Sequence, residues 1–126
     1  MLKHILVPVD GTDYSWRALD YAADLAALSG GELFIVTIVR EGGNPIGNEV
    51  LDVAGTIMMA HPNIHCRYLM INGDHISSLV LEAQFDWECD TIVIGSRGLS
   101  RFKSFWQDSV SSNVVRLAQV PVIVVK

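Results

Sequence analysis

Residues 5–13 read Ile-Leu-Val-Pro-Val-Asp-Gly-Thr-Asp, an unbroken apolar run that stops at four small or acidic residues. Directly beyond it, Trp16, Leu19, Ala22, Ala23 and Ala26 recur at helical spacing, with Thr12 or Asp13 as the cap and Gly30-Gly31 as the stop. A strand that is apolar on both faces and runs straight into an amphipathic helix is half of a βαβ unit. It predicts a parallel sheet covered on both sides.

The rest of the chain repeats the pattern. Further apolar runs lie at Leu33–Val39 (LFIVTIV), Ile64–Ile71, Thr91–Ile94 and Val120–Val125 (VPVIVV). Helical stripes fall between them: a weaker one over Val50–Ala60, interrupted by Gly55; Ile76, Leu79, Val80 and Ala83, capped by Asp74; and Val110, Val114, Leu117 and Ala118, ended by Pro121. The fold class expected is α/β, a doubly wound five-stranded parallel sheet with helices on both faces. In the third run His65 and Arg67 alternate with Ile64 and Cys66, which suits an exposed edge. The last run is apolar yet should form the other edge. Either two copies of Val122–Val125 pair in a homodimer, or this strand is inserted inside the sheet. Glu41–Asn48 (EGGNPIGN) reads as a loop.

At 126 residues, half of them hydrophobic and 18% charged, residues 1–126 are expected to form a single domain with a real core. The net charge of −5 argues against nucleic acid as a partner. No apolar run reaches membrane-spanning length, Met1–His4 does not resemble a signal peptide, and Cys66 and Cys89 lack metal-ligand spacing. A cytoplasmic location with reduced thiols is expected.

Chemistry should lie beyond the carboxyl ends of the strands, where the topology reverses. Gly95-Ser96-Arg97-Gly98 follows the fourth run, and the segment continues through Arg101 and Lys103 to Ser109 at a helix start. Three of the nine basic residues thus fall within seven positions of an acidic chain. Glycine-exposed amides, a helix N-terminus and local positive charge make an anion site. Catalytic readings are thin. No serine occupies a nucleophile elbow, and Pro62 keeps His61 and His65 from sharing a helical face. A phosphorylation-switch receiver would need Asp10, Asp13, Asp74, Ser96 and Lys126 as its set. Asp74 stands too far past the third run for that, and no helix follows the last strand.

Three segments taken in order, HILVPVDGT (4–12), GDHISSLVLEAQ (73–84) and TIVIGSRGLSRF…DSVSSNVVRLAQVPVIVV (91–125), resemble the universal stress protein family over nearly the whole chain. The resemblance implies strand order 3-2-1-4-5, a cytoplasmic dimer joined through the last strand, and an adenine nucleotide such as ATP, with Mg²⁺ only as its companion. Nucleotide-binding members carry Gly-x2-Gly-x9-Gly-Ser/Thr in the final loop. By position Gly95, Gly98 and Ser109 match it, flanked by Ile94, Arg97 and Val110. Asp10, after Pro8, matches an acid near the adenine and ribose, and Ile38 a residue bordering the adenine.

The third glycine is replaced by Asp108. A carboxylate about 4 Å from a phosphate charge costs on the order of 4 kcal/mol at an effective dielectric near 20. Even half of that exceeds tenfold in affinity. Aspartate is also a favoured N-cap, able to satisfy amides a phosphate would otherwise use. The expectation is a binding or signalling module, not a catalyst, with a degenerate pocket that takes ATP weakly or not at all. The alternative is an ATP-dependent switch in which Arg97, Arg101 and Lys103 offset the acid. Phe102, Phe105 and Trp106 should make this loop less open than a nucleotide cradle, whereas Trp16 belongs to a helix's core face.

Overall fold

A computed structural model describes residues 1–40, 46–96 and 108–126, and for Ile46, Asp108 and Ser109 the backbone only. In chain order the elements are β1 (His4–Pro8), α1 (Asp13–Ser29), β2 (Glu32–Val39), α2 (Ile46–Met58), β3 (Cys66–Asn72), α3 (Ile76–Asp86), β4 (Thr91–Gly95), α4 (Asp108–Leu117) and β5 (Val122–Val125). The sheet runs β3-β2-β1-β4-β5 with every neighbouring pair parallel. The chain therefore winds outward from β1 to one edge, then crosses back to build the other half. The reversal lies between β1 and β4.

The period-2 alternation of the strands sorts the core into two faces. Ile5, Val7, Val9, Leu33, Ile35 and Val93 pack with Ala18, Leu19 and Ala22 of α1 and Val50 and Ala54 of α2. Leu6, Phe34, Val36, Ile38, Ile92 and Ile94 pack on the opposite face with Ile76 and Val80 of α3 and Val110 and Val114 of α4. Ile5, Leu6 and Val7 of the central strand have no exposed surface. A fully covered strand of this kind stabilises by roughly 1.5–3 kcal/mol for each large apolar side chain.

Several boundaries differ from those the sequence suggested. The cap of α1 is Thr12, whose hydroxyl accepts from the Ser15 amide at 3.3 Å, and Asp13 is the first helical residue. Asp74 is not the cap of α3. That place falls to His75, which makes no side-chain capping bond, because the helix begins only at Ile76. Helix α2 begins at Ile46, so residues 46–48 belong to it and not to a loop, while 41–45 lie outside the described residues. Gly55 does not break it, because Val50, Ala54 and Met58 anchor the helix in the core on either side of it. In the third run the strand starts at Cys66, since Ile64 closes a turn through its amide to His61 O. β5 is an edge strand, which removes the alternative of a last strand inserted inside the sheet. The alternation expected for β3 is incomplete: Tyr68 and Met70 stand exposed beside Arg67.

Trp16 is half-buried against the α1/α2 face, as its helical position implied. Trp87, just past α3, packs on Phe34 with ring centroids 5.3 Å apart.

Candidate functional site

The C-terminal ends of β1 and β4 flank the reversal, and the residues singled out there fall into three groups. Pro8 closes β1, buried, with the same parity as Leu6 and therefore directed to the α3/α4 face. Ile38 of β2, Ile94 of β4 and Val110 of α4 join one buried cluster on that face, at 2%, 1% and 8% exposure. Ile38, Ile94 and Val110 are brought together, with almost no open surface. Gly95, Asp108 and Ser109 hold the backbone around the crossing from β4 to α4. Arg97 and Gly98 lie outside the described residues, as do Arg101, Phe102, Lys103, Phe105 and Trp106.

Gly95 has a packing reason to be glycine. A Cβ there would stand 2.8 Å from both the carbonyl carbon and oxygen of Tyr14, in the first turn of α1. Its match to a binding motif therefore coincides with a purely steric demand. Just beyond it, the Ser96 amide donates to Val125 O at 2.8 Å, and Ser111 Oγ donates to Ser96 O at 2.7 Å. The first turns of α1 and α4 are thus both tied to the end of β4.

Helix α4 begins at Asp108, so that residue occupies the first helical position and not the cap. An acid in a first turn still complements the helix dipole.

After β1 the chain turns through Asp10, Gly11 and Thr12. Gly11 has φ +90° and its α-carbon faces Val50 of α2, a conformation other residues rarely adopt. The Asp10 carboxylate accepts twice at one oxygen: Oδ1 takes the Thr12 amide at 3.0 Å and the Thr12 hydroxyl at 2.6 Å. The family resemblance placed Asp10 at the site and the helix pattern offered Thr12 or Asp13 as the cap, but neither showed the bond between Asp10 and Thr12. The spacing Asp-x-Thr, which favours such turns, is the signal that would have found it.

The two thiols are not set up for chemistry. Burial pushes the Cys89 thiol up to about 12, with the Asp90 and Glu32 carboxylates adding to it. Cys66 is raised too, mainly by burial, against the opposing effect of a hydrogen bond from Tyr68. Thiolate reactivity needs the reverse. His61 Nε2 lies 3.4 Å from Asp20 Oδ1, an exposed pairing between α1 and the end of α2. Among the described residues, no group of three or more His, Cys, Asp or Glu is arranged to hold a metal ion. No helix among them is long and apolar enough to cross a membrane.

A sequence model of the universal stress protein family matches residues 1–126. The chain belongs to that family. It is a general stress-response module of the universal stress protein type, with the family's strand order. Universal stress protein YxiE of Bacillus subtilis (strain 168) is 29% identical, with 100% of both chains covered. A universal stress protein crystallised in complex with cAMP superposes with a TM-score of 0.81 at 28% identity, covering 98% of this chain and 96% of that one. The universal stress protein from Archaeoglobus fulgidus in complex with dAMP gives 0.78 at 27% identity, with 100% of each chain covered.

Proposed function

We propose that this family member is a binding and signalling module whose pocket accepts an adenine nucleotide with a single phosphate in preference to ATP. The observation that carries the reading is Asp108, the first residue of α4, standing where the nucleotide-binding motif has glycine. Each phosphate charge brought near that carboxylate adds an unfavourable Coulomb term, so a triphosphate suffers more than a monophosphate. Two relatives whose structures were solved with cAMP and dAMP support a ligand of the shorter kind. The residues assigned to the pocket are Pro8, Asp10, Ile38, Ile94, Gly95, Arg97, Gly98, Asp108, Ser109 and Val110. Mg²⁺ would enter only as the companion of a polyphosphate, and no catalytic residue is assigned.

The test is calorimetric titration of AMP and of ATP into the unmodified protein. AMP is expected to bind about tenfold or more tightly than ATP. Micromolar ATP binding, equal to or tighter than AMP binding, overturns the reading.

The second part of the proposal is a cytoplasmic homodimer formed by pairing the β5 edges. Val124 is 40% exposed on a strand with no partner on its outer side among the described residues. An apolar open edge of this kind favours pairing with an identical copy. Sedimentation at micromolar concentration is expected to give a dimer, and a clean monomer removes it.

A further inference from the structure

We infer that Thr12 is a positioning residue for the proposed nucleotide site, fixing which oxygen of Asp10 is left for the ligand. The inference rests on the reading of that site given above.

Thr12 joins two structures through one hydroxyl. Its oxygen accepts from the Ser15 amide at 3.3 Å, closing the N-terminus of α1, and its proton goes to Asp10 Oδ1 at 2.6 Å. The Thr12 amide reaches the same oxygen at 3.0 Å. Both hydrogen bonds that Asp10 makes among the described residues therefore arrive at Oδ1, and Oδ2 has no partner among them. A carboxylate with one oxygen saturated by internal donors presents a single acceptor in a set orientation.

The frame around it is stiff. Gly11 takes φ +90°, and a Cβ there would meet Val50 Cγ2 at 3.4 Å, so the turn calls for glycine. On the helix side, Ser15 is buried, and its own hydroxyl donates to Thr12 O at 2.8 Å. Thr12 is thus held by the helix while it holds the acid. A ligand that donates one N–H or O–H to Asp10 meets a carboxylate already ordered, and the entropy of ordering that side chain is not charged to binding. Without the hydroxyl, Asp10 keeps only the amide bond, and ligand binding must complete the ordering.

The experiment uses the full chain and AMP as the probe, titrated into the unmodified protein, Thr12→Ser, Thr12→Val, Asp10→Ala and the double variant Thr12→Val/Asp10→Ala. Thermal unfolding is recorded for each. Thr12→Val is expected to weaken AMP binding about fivefold, and Thr12→Ser to stay within about twofold. In the Asp10→Ala background the valine substitution should have no further effect on affinity, although it still lowers the melting temperature through the lost cap. A valine variant that melts earlier yet binds AMP as the unmodified protein does overturns the inference. So does the same fivefold loss with Asp10 absent, for Thr12 would then act only through the helix. Failure of the unmodified protein to bind AMP at millimolar concentration strikes instead at the site reading beneath it.

Discussion

Two helices start at the carboxyl rim of the sheet, α1 after β1 and α4 after β4, and each has an aspartate as its first residue. In α1 the residue ahead of Asp13 is a neutral hydroxyl that takes a helix amide, and the first turn packs against Gly95 so closely that no side chain fits between. That helix start is closed by its own chain. The start of α4 follows the segment carrying the glycine motif, and its acid replaces the glycine that would let a phosphate approach. The same residue type at the same helical position is a dipole complement in one place. In the other it is the basis of the ligand preference proposed above.

Filling the contact that closes α1 should break the comparison most severely. Gly95→Ala puts a methyl group 2.8 Å from backbone atoms of Tyr14, which cannot yield as a side-chain tip would. The unfolding free energy is expected to fall by about 3 kcal/mol, as for other overpacked interiors, measured by urea denaturation. A loss below about 0.5 kcal/mol would mean that α1 is not pressed against β4 as described. A smaller effect sharpens the contrast. Thr12→Val should cost about 1 kcal/mol through the lost cap, and Thr12→Ser only a few tenths.

The fold was legible in the sequence because its signals are redundant. Five apolar runs, each of them too short for a buried helix, alternate with 3.6-period stripes, and a parallel sheet is what satisfies them all. Element ends were less legible. Asp74 looked like a cap because the residue type fits, but nothing local reveals that α3 starts two residues later. Gly55 looked like a break because propensity is local, whereas α2 is held by Val50, Ala54 and Met58 packing on the sheet. The apolar exposure of Tyr68 and Met70 was hidden for a related reason, since strand alternation says which face a residue takes and not whether a helix covers it there.

The candidate site was legible in part. Ile38, Ile94 and Val110, which the family resemblance singles out, share one buried cluster. The contact that makes Gly95 obligatory comes from Tyr14, 81 residues earlier in sequence, and no pattern in the chain announces a pairing at that separation. Ser111 is a similar case: no motif singles it out, yet its hydroxyl donates to Ser96 O, 15 residues earlier in sequence.

The account's central claim is that the carboxylate at the tip of α4 is what turns a polyphosphate away. Calorimetric titration of ATP into Asp108→Gly, set beside the unmodified protein at the same ionic strength, tests it most directly. The account predicts a gain in ATP affinity of about tenfold or more, with a smaller gain for AMP. An ATP affinity that the substitution leaves unchanged or lowers would contradict it.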